Sequence, residues 1–274
     1  MHSRIPVIFL LLSTCSLIAQ TAPAKDCGLT SIQICALHVA QDEVGIVTSP
    51  LHMTQSDVPW VAAFAVGTGV GIDKDAEAIK ALGVDKSRED KFRKVSDVGG
   101  LYGPAAAVTI GFFVGRAKHN DHLQETSILA EEAMADSFIL NTGLGYAINR
   151  QTPRQGDGTG RFWPHGTKTW PDGQSMPSDH SILAWSFAHV VASEYNGIGT
   201  KVLVYSLATT VSASRVIARE HFPSDVFVGA ALGYFIGGYV IHHRTDREKW
   251  DGIALSPVRT PNGNGLQLSY NFAH

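Results

Sequence analysis

Long apolar segments, most of them rich in Gly and Ala, alternate with short polar or glycine-rich stretches along this chain. Runs of this length are typical of helices in the core of a protein, and the small residues permit close packing between helices. The pattern predicts helices at Ala105–Val114, Thr126–Tyr146, Asp179–Tyr195, Thr200–Ala218 and Pro223–His243. The fold class expected from these elements is all-α, a compact helical bundle.

The N-terminal third has a weaker pattern. Residues Lys25–Asp57 are predicted to form an irregular arm, and the apolar stretch Val58–Val70 is interrupted by the charged residues Asp73-Lys74-Asp75. A strongly charged stretch, Asp85–Lys94, follows. The N-terminal third is therefore expected to supply an arm and helices that pack on the core.

We divide the chain after its first 24 residues into three parts. Residues 25–98 form the N-terminal arm and helices, residues 99–243 form the central helical bundle, and residues 244–274 form a tail. Beyond the turn Asn262–Gly265, apolar residues alternate with polar ones at the strand period, namely Leu266, Leu268, Tyr270 and Phe272. The tail is therefore predicted to form a small β-hairpin that braces the bundle.

The first residues have the composition of an export signal. Arg4 precedes the apolar stretch Ile5–Ala19 and small residues follow, so residues 1–24 are predicted to be a signal peptide. We expect an exported, periplasmic protein. Two alternatives are left open, lipid attachment at Cys15 and an uncleaved anchor, although the apolar stretch is shorter than the ~20 residues that a span needs.

Composition narrows the range of partners. A formal net charge of -3 and the lack of a basic stripe argue against a nucleic-acid partner. Mean hydropathy is only +0.02, and the longest apolar run, Val226–Ile241, contains four glycines. We therefore interpret the apolar runs as core helices and not as membrane spans, and leave peripheral membrane contact open. In an oxidising compartment Cys27 and Cys35 could pair in one disulfide.

Two short stretches carry the candidate chemistry. The first is Pro177-Ser178-Asp179-His180, and the second runs from Ser214-Arg215 through His221 to Asp225. Together they supply two imidazoles, a carboxylate, a guanidinium and a serine hydroxyl. These groups are the ones needed to hold a tetrahedral oxyanion and to attack it with a histidine.

The expected local geometry fits this chemistry. Proline is favoured at the first position of a helix, so Pro223 places His221 at the positive end of the helix that follows. Asp225 then lies one turn away, where it would accept a proton from one ring nitrogen of His221 and leave the other nitrogen as nucleophile. Ser178 is predicted to be the N-cap of a second helix, with His180 in its first turn.

The two stretches resemble the signature of the type 2 phosphatidic acid phosphatase / vanadium-dependent haloperoxidase superfamily, which reads Lys-x6-Arg-Pro, Pro-Ser-Gly-His and Ser-Arg-x5-His-x3-Asp. The third part matches in full, and the second matches except that Asp179 replaces glycine. In the first part Pro153 aligns, but Thr152 and Gly145 stand where the family has arginine and lysine. Over about residues 140–243, the resemblance implies a helical bundle of the acid phosphatase / haloperoxidase type.

The resemblance also implies an activity: hydrolysis of a phosphate monoester, of a lipid or a small molecule, without a metal or other cofactor. His221 would attack phosphorus and form a phosphohistidine, and Asp225 would orient it. His180 would protonate the leaving alkoxide and then activate water. Arg215 and Ser178 would hold the phosphoryl oxygens.

Two other functions stay open. Losing two charge-assisted hydrogen bonds at Gly145 and Thr152 would weaken transition-state binding by roughly 3–6 kcal/mol. An impaired family member that binds a phosphorylated ligand or an envelope partner is therefore the main alternative, and a haloperoxidase with vanadate as cofactor is another. Four nearby cations are candidates to replace the missing charges: Arg150, Arg154, Arg161 and Lys168.

Overall fold

The computed structural model describes residues 32–168, 170–171, 173–245, 252–260 and 263–271. Helices dominate this part of the chain: α1 Ile32–Thr48, α2 Val58–Leu82, α3 Lys86–Asp97, α4 Gly103–Lys118, α5 Asp121–Ile148, α6 Asp179–Glu194, α7 Ile198–Ile217 and α8 Pro223–Thr245. A short 3-10 helix, Ser49–His52, follows α1, and a π-helical turn, Val98–Tyr102, joins α3 to α4. The expected all-α class is confirmed.

Helix α6 lies at the centre of the bundle and packs against α5, α7 and α8. Its side chains enter all three apolar clusters of the core, through Ile182 and Leu183, through Ala184 and Ala188, and through Val190. Helix α8 comes very close to α6, because a Cβ at Gly233 would lie 2.2 Å from the carbonyl oxygen of Ile182. The glycines in the apolar runs therefore do permit close helix packing, as the sequence predicts.

The predicted helices of the central bundle are confirmed, with α4 and α5 starting and ending a few residues outside the predicted limits. The prediction of an irregular arm over Lys25–Asp57 is wrong, because Ile32–Thr48 is helix α1. Buried polar contacts secure this helix: His38 Nδ1 lies 2.9 Å from Glu132 Oε1 of α5, and Asp42 pairs with Arg244 of α8. Such long-range pairs have no periodic signal in the sequence.

Helix α2 also differs from its prediction. The charged residues Asp73-Lys74-Asp75 do not interrupt it, since the helix continues to Leu82. Asp73 and Lys74 face solvent, whereas Asp75 is completely buried beside Arg150. The predicted division between residues 98 and 99 falls inside an unbroken helical segment of 33 residues, Lys86–Lys118.

The tail contains two strands that pair antiparallel, β1 Gly252–Thr260 and β2 Gly263–Asn271. Gly252 lies opposite Asn271, and Thr260 lies opposite Gly263. The fold class rests on the helices alone. A hairpin that braces the bundle stays a prediction.

Two helical segments of the described chain are long and apolar enough to cross a membrane, Lys86–Lys118 and Pro223–Arg244. Only 22% of the apolar window in the first segment is buried, against 50% in the second. The interpretation as buried core helices therefore does not fit the first segment.

The predicted signal peptide, residues 1–24, lies outside the described residues. Cys35 is in a disulfide, and its predicted partner, Cys27, also lies outside them.

One arginine joins three parts of the bundle. Arg150, directly after α5, is 1% exposed and lies between two buried carboxylates. Its Nη2 donates to Asp75 Oδ2 of α2 at 2.7 Å, and its Nη1 donates to Asp225 Oδ1 of α8 at 2.6 Å. Ser224 Oγ accepts a further bond from Nη1 at 2.7 Å, and the guanidinium lies 4.4 Å from the centroid of the Phe222 ring. This network fixes the start of α8 relative to α2 and α5.

The Arg150 network predicts a large loss of stability on substitution. Arg150→Met should lower the free energy of unfolding by about 3–5 kcal/mol, because it leaves two buried carboxylates without their counter-ion. The matched control is Arg161→Met, which breaks an exposed pair with Asp157 and should cost less than about 1 kcal/mol. Denaturant unfolding of the three proteins measures both values, and equal stabilities would contradict the prediction.

A second prediction concerns Asp136 of α5, whose two carboxylate oxygens are buried without a hydrogen-bond partner among the described residues. Burial, together with the charges of Asp42 and Glu43, raises the pKa of Asp136 from 3.8 to about 9. In the unfolded chain Asp136 ionises at its ordinary pKa of 3.8. Between pH 3.8 and about 9 the folded state therefore holds one more proton than the unfolded state. Stability should therefore fall as pH rises across this window, by at most about 1.4 kcal/mol per pH unit. Asp136→Asn should be more stable than the wild type at pH 8 and should show a flatter pH profile; thermal unfolding at pH 5 to 8 tests this.

Candidate active site

The connection between α7 and α8 places His221. Helix α7 ends at Ile217, and the amides of Glu220 and His221 donate to the carbonyl of Arg215, at 3.0 and 3.4 Å. This tight turn brings Arg215 and His221 side by side. Helix α8 then begins at Pro223, as predicted.

The ring of His221 is held by a backbone group. Its Nδ1 lies 2.7 Å from the carbonyl oxygen of Ser175, and because a carbonyl only accepts, Nδ1 carries the hydrogen. Its Nε2 faces the interior of the site, 3.2 Å from Asp179 Oδ1 and 3.3 Å from Arg215 Nη2. Nε2 is therefore the ring nitrogen available for chemistry.

Asp225 does not hold His221 in the way the spacing suggests. Its Oδ2 lies 4.0 Å from His221 Nδ1, beyond hydrogen-bonding distance, and it accepts instead from Ser175 Oγ at 2.6 Å and from the Phe222 amide at 2.8 Å. Asp225 thus fixes Ser175, and the Ser175 carbonyl fixes the imidazole. Burial raises the pKa of Asp225, and the charge of Arg150 opposes that rise.

His180 lies in the first turn of α6, as predicted, between two carboxylates. Its Nδ1 is 2.8 Å from Asp179 Oδ1, and its Nε2 is 3.2 Å from Asp97 Oδ1. Carboxylates only accept, so Nδ1 carries a hydrogen in this arrangement, while Nε2 lies at ion-pair distance from Asp97. The same Asp179 oxygen contacts both His180 and His221.

Arg215 and Ser178 complete the set of predicted residues. Arg215 is 7% exposed; its Nη1 lies 3.4 Å from Asp97 Oδ1, while its Nε is buried without a hydrogen-bond partner in the described part of the chain. Ser178 occupies the N-cap position of α6, but its side chain makes no capping bond. Its buried hydroxyl is likewise without a partner among the described residues, while its amide donates to the Asp225 carbonyl at 3.0 Å.

Two acidic side chains of this site were not predicted to take part in it. Asp97, at the end of α3, carries no motif signal, and only the packing of α3 against α7 brings it to His180 and Arg215. Asp179, which stands where the family motif has glycine, directs its carboxylate into the site. Burial opposes ionisation of Asp179, but hydrogen bonds and charges from His180 and His221 outweigh it and hold its pKa well below the usual value.

Three of the four cations considered as replacements pair with carboxylates elsewhere. Arg150 binds Asp75 and Asp225, as described above. Arg154 pairs with Glu89 and Glu220, and Arg161 pairs with Asp157. These arginines therefore do not replace the two positive charges that the family motif has at the positions of Gly145 and Thr152.

An apolar cavity adjoins the site. It has a volume of about 660 Å³ and lies between the α3–α4 segment, α6 and α7. Its lining includes Val98, Gly99, Ala107, Leu207 and Val211, with Lys94 and Thr210 as its polar members. Gly100 follows the lining residue Gly99 and packs between His180 and the lining residue Val211: a Cβ on Gly100 would lie 2.8 Å from the His180 Cβ and 2.9 Å from Val211 Cγ1. Within the described residues, no group of three or more His, Cys, Asp or Glu side chains has an arrangement that would hold a metal ion.

Comparison with known proteins identifies a family that part of this chain resembles. Residues 128–249 match the family model of the PAP2 superfamily. A curated relative, Lipid A 1-phosphatase of Porphyromonas gingivalis, is 31% identical over 109 residues, which are 38% of this chain and 24% of that protein. The match thus spans about a quarter of the relative's length.

Two solved structures are also similar. A transmembrane PAP2 type phosphatidylglycerolphosphate phosphatase from Bacillus subtilis has a TM-score of 0.48 at 17% identity, covering 79% of this chain and 96% of its own. Aquifex aeolicus LpxE has a TM-score of 0.43 at 20% identity, covering 61% and 94%.

The segment that matches the family model contains every residue predicted for the site, from Ser178 to Asp225. Both motifs lie within it, and the structure brings their side chains together around His221. The resemblance seen in the sequence is therefore confirmed for this segment: residues 128–249 match the PAP2 superfamily.

Proposed function

We propose that this protein hydrolyses the phosphate monoester of a lipid through a phosphohistidine at His221. The observation that carries the proposal is the position next to His221 Nε2, where one anionic oxygen contacts His221 and His180 and lies 3.8 Å from Arg215 Nη2. An oxygen of a phosphoryl group placed there would meet the same three basic groups. The match of residues 128–249 to the PAP2 superfamily supports phosphatase chemistry at that position.

The nucleophile is His221 Nε2. With the Nδ1 hydrogen bound to the Ser175 carbonyl, neutral His221 keeps its lone pair on Nε2. This lone pair attacks phosphorus, a nitrogen–phosphorus bond forms, and the bond from phosphorus to the ester oxygen breaks. Asp225 acts indirectly, by holding Ser175 in place.

His180 moves the protons. It donates a proton to the ester oxygen as that bond breaks, so the product leaves as an alcohol. In the second step neutral His180 takes a proton from water, the water oxygen bonds to phosphorus, and the bond to His221 breaks.

Arg215 and Ser178 bind the phosphoryl oxygens. The Arg215 Nε and the Ser178 hydroxyl are buried polar groups without a partner in the described structure. A buried donor without a partner costs about 1–3 kcal/mol, so an anion that satisfies both gains that amount on binding. Arg215 Nη2 lies 3.3 Å from His221 Nε2, which supports a role for Arg215 in holding charge that develops in the transition state.

The apolar cavity supports a lipid rather than a small soluble ester. Its volume of about 660 Å³ lies in the usual range of ligand pockets, and its lining is almost entirely apolar. His180 and the lining residue Val211 both pack against Gly100, so an acyl chain in the cavity would lie within about one residue of the proposed phosphate position. The name of the curated relative, a lipid A phosphatase, is consistent with a lipid substrate.

Membrane association follows from the same substrate. Large apolar side chains are exposed on seven of the described helices, among them Trp60, Phe113, Leu203 and Phe235. Exposed apolar area of this extent marks contact with a membrane or a partner. We place the protein outside the cytoplasm at a membrane surface, from which a lipid phosphate can enter the cavity.

A second function has a specific observation in its favour. The cations normally present at Gly145 and Thr152 are absent, and a carboxylate, Asp179, lies where substrate oxygen would bind. An impaired member that retains a phosphorylated ligand or an envelope partner without turnover is the alternative. Turnover measurements on the purified protein distinguish the two.

Replacing the histidines tests the mechanism. His221→Ala should abolish turnover. His180→Ala should slow the hydrolysis of dioleoyl phosphatidic acid by about 10²–10⁴-fold but spare p-nitrophenyl phosphate in part, because a good leaving group needs little protonation. His165→Ala, an exposed histidine of the connecting loop, is the control and should behave as wild type. Wild-type activity in His221→Ala would rule out the phosphohistidine.

Filling the cavity tests the lipid substrate. Ala107→Trp places an indole at its mouth, on an exposed stretch of α4, and should lower kcat/KM for dioleoyl phosphatidic acid at least about tenfold, because the acyl chain loses buried contact. Activity on p-nitrophenyl phosphate should not change. Ala106→Trp, the neighbouring exposed residue outside the cavity lining, is the matched control. Equal effects of the two tryptophans on lipid hydrolysis would contradict the assignment.

A further inference from the structure

The side chain of Asp179 occupies the position that the proposed function gives to a phosphoryl oxygen. Its Oδ1 accepts from His180 Nδ1 at 2.8 Å, lies 3.2 Å from His221 Nε2 and lies 3.8 Å from Arg215 Nη2. Its side chain is 49% exposed, so the carboxylate can rotate out of the site without unfolding α6. The site thus holds an anion of its own, which can be displaced.

This internal anion affects ligands unequally. Asp179 is ionised at any ordinary pH. An incoming phosphate must therefore displace the Asp179 carboxylate from both histidines before it can bind them itself. Inorganic phosphate and small esters bind through their charge alone, so competition with Asp179 removes most of their binding free energy. A lipid phosphate also buries an acyl chain in the apolar cavity, and that contribution is independent of Asp179.

Asp179 also acts on the nucleophile. A carboxylate oxygen 3.2 Å from His221 Nε2 favours the form of the ring that carries a hydrogen on Nε2, because a lone pair facing a carboxylate is repelled. In that form His221 cannot attack phosphorus. Displacement of Asp179 by a ligand therefore both opens the phosphate position and favours the nucleophilic form of His221.

We propose that Asp179 is a specificity-determining residue: its carboxylate competes with phosphate for His221 and His180, so that only phosphate esters with an apolar group that fills the adjoining cavity bind well. The proposal rests on the proposed function for the identity of the site. It extends that function by giving the departure from the family motif at residue 179 a role in rejecting free phosphate and small soluble esters.

Binding of inorganic phosphate and of orthovanadate tests the competition without any need for turnover. Asp179→Asn keeps the shape of the side chain and removes its charge, and Asp179→Gly removes the side chain. Isothermal titration of the full chain should show both anions binding at least about tenfold more tightly to each variant than to the wild type. Asp73→Asn, which removes one exposed carboxylate from α2, is the charge-matched control and should bind as wild type does.

Kinetics test the specificity. The ratio of kcat/KM for p-nitrophenyl phosphate to that for dioleoyl phosphatidic acid in mixed micelles should rise about tenfold or more in Asp179→Asn, with no rise in Asp73→Asn. Phosphate and vanadate affinities in Asp179→Asn equal to or weaker than those of the wild type would overturn the proposal, as would tighter binding with an unchanged ratio. Tighter anion binding in proteins that hydrolyse neither ester would uphold the competition by Asp179 and overturn only the hydrolase.

Discussion

The burial of one guanidinium between two carboxylates is the interaction on which the site depends. Arg150 has no contact with the phosphate position, yet it neutralises Asp75 and Asp225 at the point where α2, α5 and α8 meet. With its charge compensated, Asp225 can remain completely buried and hold Ser175, whose carbonyl sets the hydrogen on His221 Nδ1. The orientation of the His221 ring thus depends, through Ser175 and Asp225, on the buried guanidinium of Arg150.

Charge compensation has a different effect among the basic side chains of the site. Three basic groups, His180, His221 and Arg215, lie together in the site, and the protein supplies Asp97 and Asp179 to balance them. Asp97 stabilises the cationic groups from the side of α3. Asp179 instead stands directly before the nucleophile, where it competes with the very ligand that the basic groups would bind.

The apolar surfaces connect the site to its surroundings. The cavity between α4, α6 and α7 lies beside exposed apolar side chains of α4 and α7, and its lining residue Val211 comes close to His180 at Gly100. The glycines at positions 99 and 100 make this proximity possible, since any side chain there would collide with Val211 or His180. The close packing predicted from small residues is therefore used at the site as well as in the core.

The sequence by itself determined the helical class, the limits of α6, α7 and α8, and the residues His180, Arg215 and His221, because these rest on short-range patterns: apolar runs, a proline at the start of a helix, and fixed spacings within a motif. It did not reveal helix α1, the burial of Asp75, the Ser175 carbonyl as the partner of His221, or the entry of Asp97 into the site. Each of these depends on contacts between residues far apart in the chain, such as His38 with Glu132 and Arg150 with Asp75. The tertiary structure alone decided the direction of Asp179, since a carboxylate at the first position of a helix is equally suited to solvent or to two neighbouring imidazoles, and only the fold brings those imidazoles within reach.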